Sequence, residues 1–158
     1  MKTLSFFRLV LSVALCLAVG AIGSLATTPK IPTWYAGLAK PGWTPPDAAF
    51  PLVWTTLYIL MAVALWRLWQ LHPPSARRSL AVVLFFVQLG FNALWPPVFF
   101  GLESPILGLR VIALLWIAIV ATIFACARID RMAGWLLAPY LAWVSYAAAL
   151  NAAIVVMN

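Results

Sequence analysis

Five runs of about twenty or more mainly apolar residues, at roughly 5–26, 47–70, 79–101, 105–127 and 133–156, take up most of this chain. A helix needs about twenty such residues to cross a hydrocarbon core. Inside lipid only helices and closed barrels satisfy their own backbone groups, and five strands close no barrel of ordinary size. The sequence therefore predicts an all-α membrane protein: a bundle of five transmembrane helices forming one domain over residues 1–158. Composition agrees, because 66% of the residues are hydrophobic and 8% are charged, whereas a soluble domain carries about a quarter of its residues as charges.

The connections fix an orientation. A long Pro-rich stretch (27–46), a His-Pro-Pro turn with two arginines (71–78), a Gly-Leu-Glu-Ser link (101–104) and an Arg-Ile-Asp-Arg turn (128–131) join the spans. Lys2, Arg8, Arg77, Arg78, Arg128 and Arg131 fall on one side, and Lys30, Lys40, Asp47 and Glu103 on the other. The excess of positive charge puts the N-terminus in the cytoplasm if the membrane is an inner one. The 27–46 stretch then faces outward. The net charge of +7 forms no basic stripe, so nucleic acid is not an expected partner. Cys16 and Cys126 lie inside apolar runs and read as small buried hydrophobes rather than a disulfide. Residues 1–28 share features with a signal peptide: early basic residues, an apolar middle and a Ser24-Leu25-Ala26 end. The apolar run after Arg8, about eighteen residues, exceeds the usual 7–15 of a signal core, so the segment is read as a retained helix.

Polar and aromatic groups inside the spans are the candidates for function. Gln88, Asn92 and Trp95 in QLGFNALW are spaced i, i+4, i+7 and share one helical face. Amides in hydrocarbon need partners, and polarity alone favours a helix–helix hydrogen bond over a cavity contact. Pro96-Pro97, Pro51 and Pro139 are expected to bend or loosen their helices, which shifts the reading towards a cavity. Trp54 and Tyr58 lie one turn apart, and Tyr140, Trp143 and Ala147 share a face of the last span. Trp34, Trp43, Trp66, Trp69 and Trp135 sit near span ends, where rings usually anchor at the interface. Trp54 and Trp143 lie deeper and could sandwich a flat ligand, worth about 0.5–1.5 kcal/mol per ring pair beyond burial; filling gaps between helices is the alternative. Asn151 is a further amide in need of a partner. Arg110 is expected to snorkel to the nearby surface. His72, beside Pro73-Pro74, has no second ligand in sight and reads as a surface residue. No metal site, phosphate loop or catalytic triad is visible, and Asp47, Glu103 and Asp130 are too dispersed for paired acid–base chemistry.

Four stretches resemble the TspO/MBR family, that of the translocator protein: WYAGLAKPGWTPP (34–46), FPLVWTTLYILM (50–61), QLGFNALWPPVFFG (88–101) and GWLLAPYLAWVSYAAALN (134–151). The resemblance implies a five-helix membrane bundle, often a homodimer, whose loop after the first helix covers a pocket. It implies porphyrins such as protoporphyrin IX as ligands, with no separate cofactor, and in many members sterols and isoquinoline or benzodiazepine-type drugs. Carried onto this chain, the pocket comprises Trp34, Trp43, Trp54, Asn92, Trp95, Trp143 and Ala147, and the residues themselves add Tyr58 and Asn151. Light-dependent porphyrin breakdown in some members makes Trp54 and Trp143 the candidate catalytic rings. The tail, residues 150–158, has no Tyr and no basic residue, so the family's sterol-recognition pattern is missing here. The expected function is porphyrin binding for tetrapyrrole sensing, sequestration or transport, with Trp-dependent light-driven degradation as the rival. A coupled transporter is disfavoured, since neither an inverted repeat nor an intramembrane carboxylate is visible. In this reading KPGWTPP (40–46) ends a lid that holds Trp43 near the pocket mouth, and DAAFPLVW (47–54) begins the second helix.

Overall fold

A computed structural model describes residues 2–71 and 73–158, with Lys2 and Leu71 as backbone alone; the expectation for His72 lies outside them. The described residues contain six α-helices and no strand: α1 (Lys2–Thr27), α2 (Ala49–Leu71), α3 (Ala76–Pro96), α4 (Pro105–Ala127), α5 (Arg131–Leu136) and α6 (Ala138–Met157). Together with their helical extensions they form five segments long and apolar enough to cross a membrane.

Proline sets the pitch of these segments. Pro lacks an N–H and crowds the carbonyl four residues back, so an α-helix cannot run through it unchanged. After α1 the chain passes into a 3-10 turn, Thr28–Lys30, and then a π-helical turn, Ile31–Tyr35, each with proline in its first two positions. The stretch expected as a loop over 27–46 is therefore helical to residue 37, and irregular backbone is confined to 38–48. Pro97 likewise opens a π-helical turn, Pro97–Gly101, rather than a sharp bend; the Leu102 amide reaches back five residues to the Pro97 carbonyl at 3.0 Å. Pro139 does break its span, dividing it into α5 and α6. Pro51 does not, because it falls in the first turn of α2, where no helical donor is lost.

Side chains define the remaining ends. Ser75 caps α3 by accepting from the Arg78 amide, Ser104 caps α4 by accepting from Leu107, and Asp130 caps α5 by accepting from Met132 and Ala133. The turn into α4 places Glu103 at φ 52°, a left-handed conformation that costs a non-glycine residue about 1 kcal/mol or more.

In the bundle α1 packs on α2 and α3, and α4 packs on α3, α5 and α6. α2 lies against α5, whereas its backbone stays apart from that of α6. Side-chain size accompanies this splay. Ala133, small and fully buried, sits in the core cluster that includes Leu65 and Leu68 of α2; Gly134 lies towards α4, where a Cβ would come within 2.9 Å of the Ala127 Cβ. Further along, the rings of Trp54, Tyr58 and Tyr140 stand between α2 and α6. One half of the bundle is thus a packed core around Met61, Leu65, Leu68, Phe85 and Leu137. The other half is hollow.

Polar contacts mark the two ends. At the packed end Arg8 donates to the Trp69 carbonyl (3.0 Å) and to Gln70 (3.2 Å), Trp66 Nε1 donates to the Ser5 carbonyl, and Arg67 pairs with Asp130 at 2.8 Å. At the hollow end Lys30 pairs with Glu103 at 2.6 Å, tying the extension of α1 to the α3–α4 turn. Arg110 is exposed, as snorkelling requires, and both cysteines are buried and free.

Candidate ligand-binding cavity

The hollow half encloses a cavity of about 360 Å³ between α1, α2, α3, α4 and α6. That volume lies within the range of small-molecule sites, roughly 300–1,000 Å³.

Tyr58 and Asn92 form its floor, tied by hydrogen bonds to Tyr140 buried behind them. The Tyr58 hydroxyl donates to Asn92 Oδ1 at 2.6 Å, and Asn92 Nδ2 donates to the Tyr140 hydroxyl at 2.9 Å. One amide thereby joins α2, α3 and α6, and the helix–helix bond that polarity favours also forms part of a cavity wall. Tyr58 can take this position because α1 presents Gly20 to it; a Cβ there would lie 2.5 Å from the ring. Trp54 stacks on Tyr58 with centroids 5.6 Å apart and meets Tyr140 edge-on at 6.2 Å. On α6, Trp143 stacks on Tyr146 at 5.7 Å and meets Phe50 edge-on at 5.8 Å. Trp95 stacks on Phe99 at 4.8 Å. Each wall tryptophan is braced by a second ring, which fixes its plane before any ligand arrives.

The irregular segment 38–48 is tied to α6 and to the end of the α1 extension. The Tyr146 hydroxyl donates to the Trp43 carbonyl at 2.6 Å. Asn158 grips Ala39 from both sides, accepting from its amide and donating to its carbonyl, each at 3.0 Å. Lys40 donates to the Tyr35 and Leu38 carbonyls and lies 4.5 Å over the Tyr35 ring.

The structure brings seven of the nine expected binding residues to the cavity: Trp54, Tyr58, Asn92, Trp95, Trp143, Ala147 and Asn151. Trp34 and Trp43 do not line it. Trp34 packs edge-on against Phe99 and Phe100 behind the wall, and Trp43 lies half exposed against Tyr146. Both expected catalytic rings, Trp54 and Trp143, face the same space. Gln88, one turn from Asn92, is buried outside the cavity lining. No group of three metal-ligating side chains occurs among the described residues.

The TspO/MBR family model matches residues 12–157. The chain belongs to the TspO/MBR family. It is 48% identical to the "Tryptophan-rich protein TspO" of Chlorobaculum tepidum over 151 residues, 95% of each chain. It is 41% identical to the "Tryptophan-rich sensory protein" of Cereibacter sphaeroides over 136 residues, 84% of each. The human "Translocator protein" shares 37% over 121 residues, 75% of this chain and 70% of its own.

In this TspO/MBR chain the contribution of α1 escapes a reading by polarity and rings. Gly20, Gly23, Ser24 and Thr27 all line the cavity. Their spacing of i, i+3, i+4, i+7 is a stripe of small residues, the usual mark of close helix approach in membranes. Phe50 and Phe99 are also missed, and nothing in their own positions separates them from the many other apolar residues.

Proposed function

We propose that this protein binds porphyrins of the protoporphyrin IX type, and other flat hydrophobic molecules, in the intrabundle cavity, and so serves in tetrapyrrole sensing, sequestration or transport. The observation that carries the reading is the pairing of an apolar cavity with two braced tryptophans, Trp54 and Trp143, and a Tyr58–Asn92 floor. A planar macrocycle gains stacking from such rings and leaves water behind as the lid closes. Membership of the TspO/MBR family supports the same ligand class. The arginine-rich end of the bundle faces the cytoplasm in this account, and the ligand enters from the membrane or beneath the lid.

Titrating protoporphyrin IX into the detergent-solubilised protein tests the reading through tryptophan fluorescence. Saturable quenching is expected, weakened in the Trp54→Phe/Trp143→Phe double variant. No quenching in the wild type, or the same curve in both proteins, would refute it.

A light-driven degradative activity is the second reading. It is favoured by oxidisable rings in contact, Trp54 with Tyr58 and with Tyr140, beside the Trp143–Tyr146 stack. Illuminating the complex in air separates the two: loss of porphyrin absorbance that vanishes in Trp143→Phe marks degradation, and a stable spectrum marks binding alone.

A further inference from the structure

The cavity is not sealed on every side. Its lining residues from α3, α4 and α6 are all buried or half-buried, among them Asn92, Phe99, Ile112 and Val144. The exposed ones fall on two elements only. On α1 and its extension they are Leu17, Ala21, Ser24 and Thr28, spaced i, i+4, i+7, i+11 along one stripe. On the neighbouring α2 they are Pro51 and Thr55, one turn apart, with Asp47 just ahead of the helix. Ala21, Ser24 and Thr55 are too small to screen the inside from the outside. The seam between the two stripes is a slot.

Packing explains why the slot stays open. The hydrogen bonds between α1 and α2 among the described residues lie at the packed end, from Arg8 to Trp69 and Gln70 and from Trp66 to Ser5. The two helices wedge together where Gly20 meets the Tyr58 ring. Beyond that point α1 is drawn to α3 instead. A Cβ on Gly23 would lie 3.1 Å from Pro96, and Lys30 is held by Glu103.

The slot meets hydrocarbon rather than water. Residues 17–28 and 51–55 lie inside two segments apolar enough to cross a membrane, Thr3–Tyr35 and Ala49–Gln70, and Asp47 stands ahead of the second. A largely apolar cavity is a poor host for water, which needs several polar partners there. A hydrocarbon chain moving in from the bilayer has no water to shed, and it restores the dispersion contacts that a void forfeits.

We infer that the α1–α2 seam is a lateral portal to the bilayer, through which a phospholipid acyl chain enters and fills the cavity. The head group stays outside, and a ligand that binds takes the place of the chain. The affinity of any ligand is then set against lipid rather than against water. The portal goes beyond the ligand reading and holds whatever molecule displaces the chain.

The test uses the full chain in nanodiscs of phosphatidylcholine brominated in the middle of its acyl chains, with ordinary phosphatidylcholine as reference. Bromine quenches a tryptophan only on close approach. Trp95 is the reporter, because it lines the cavity on α3, which is no part of the seam. Its share of the quenching is the difference between wild type and Trp95→Phe. Trp95 should be quenched in the wild type, and the quenching should be lost in Ser24→Phe/Thr55→Phe, which plugs the slot. Ala18→Phe/Thr56→Phe places the same bulk on exposed residues outside the lining and should keep it. Thr55→Phe alone decides the matter should the double variant not fold. No quenching of Trp95 in the wild type, or equal quenching with the slot plugged, would overturn the portal. Protoporphyrin IX titrated into the same samples keeps the two proposals apart. If it fails to bind while quenching still needs the open slot, the tetrapyrrole reading falls and the portal stands. If it binds and quenching ignores the plug, the portal falls alone.

Discussion

The Tyr58 hydroxyl donates to Asn92 Oδ1 at 2.6 Å, and this contact, extended through Asn92 Nδ2 to the buried Tyr140, joins three separate helices at the floor of one cavity. Removing the amide strands two buried hydroxyls. Asn92→Leu should destabilise the protein by about 1–3 kcal/mol. The cycle of Tyr58→Phe with Asn92→Leu should show a coupling of about 0.6–1.7 kcal/mol, the range of hydrogen bonds between membrane helices. Unfolding in mixed micelles measures it, and strictly additive losses would show that the bond holds nothing.

Gly20 decides whether Tyr58 can reach that amide. A methyl group there would sit 2.5 Å from the Tyr58 Cε2, in a place where the ring is already buried. Gly20→Ala should cost about 1–3 kcal/mol by overpacking and weaken porphyrin binding at the same time. Wild-type melting and binding in this variant would mean that α1 yields more readily than its packing implies.

The 38–48 segment, a lid in the proposed function, is held by few bonds. Tyr146→Phe frees the Trp43 carbonyl, and Asn158→Ala frees Ala39 on both sides. Each should speed ligand release about five- to tenfold, since a hydrogen bond of this kind is worth about 1 kcal/mol. Entry should quicken too, so stopped-flow rates will move more than the equilibrium constant. An unchanged release rate in the combined variant would show that the ligand leaves by another route.

At the packed end Arg67 and Asp130 act on the fold rather than on the cavity. Arg67→Met removes a charge-assisted hydrogen bond worth about 1.5–3 kcal/mol. Asp130→Ala should cost more, because it also uncaps the Met132 and Ala133 amides. Porphyrin affinity per folded molecule should stay the same in both, which a fluorescence titration corrected for the folded fraction would check.

Much of this was legible in the chain because lipid leaves few choices. Long apolar runs become helices, so the five spans follow from simple rules; amides at Asn92 and Asn151 need partners, but it is the family resemblance that gathers most of the cavity wall into one pocket. Two things did not follow. The Pro-rich stretch from 27 reads as a connection and Pro97 as a bend, whereas the backbone absorbs Pro29, Pro32 and Pro97 by changing pitch, a solution that depends on neighbouring bonds rather than on residue type. Trp34 and Trp43 lie near the cavity in sequence, yet their rings turn to Phe99, Phe100 and Tyr146. Which side of a short irregular segment a ring takes is settled by packing that no local pattern records.

The most direct test is a structure of the protein with protoporphyrin IX bound. The macrocycle should lie within the α1–α2–α3–α4–α6 cavity, its plane against Trp54 or Trp143 and its edge above the Tyr58–Asn92 floor. A porphyrin seated on the outer, lipid-facing surface, with the cavity unchanged, would contradict the account.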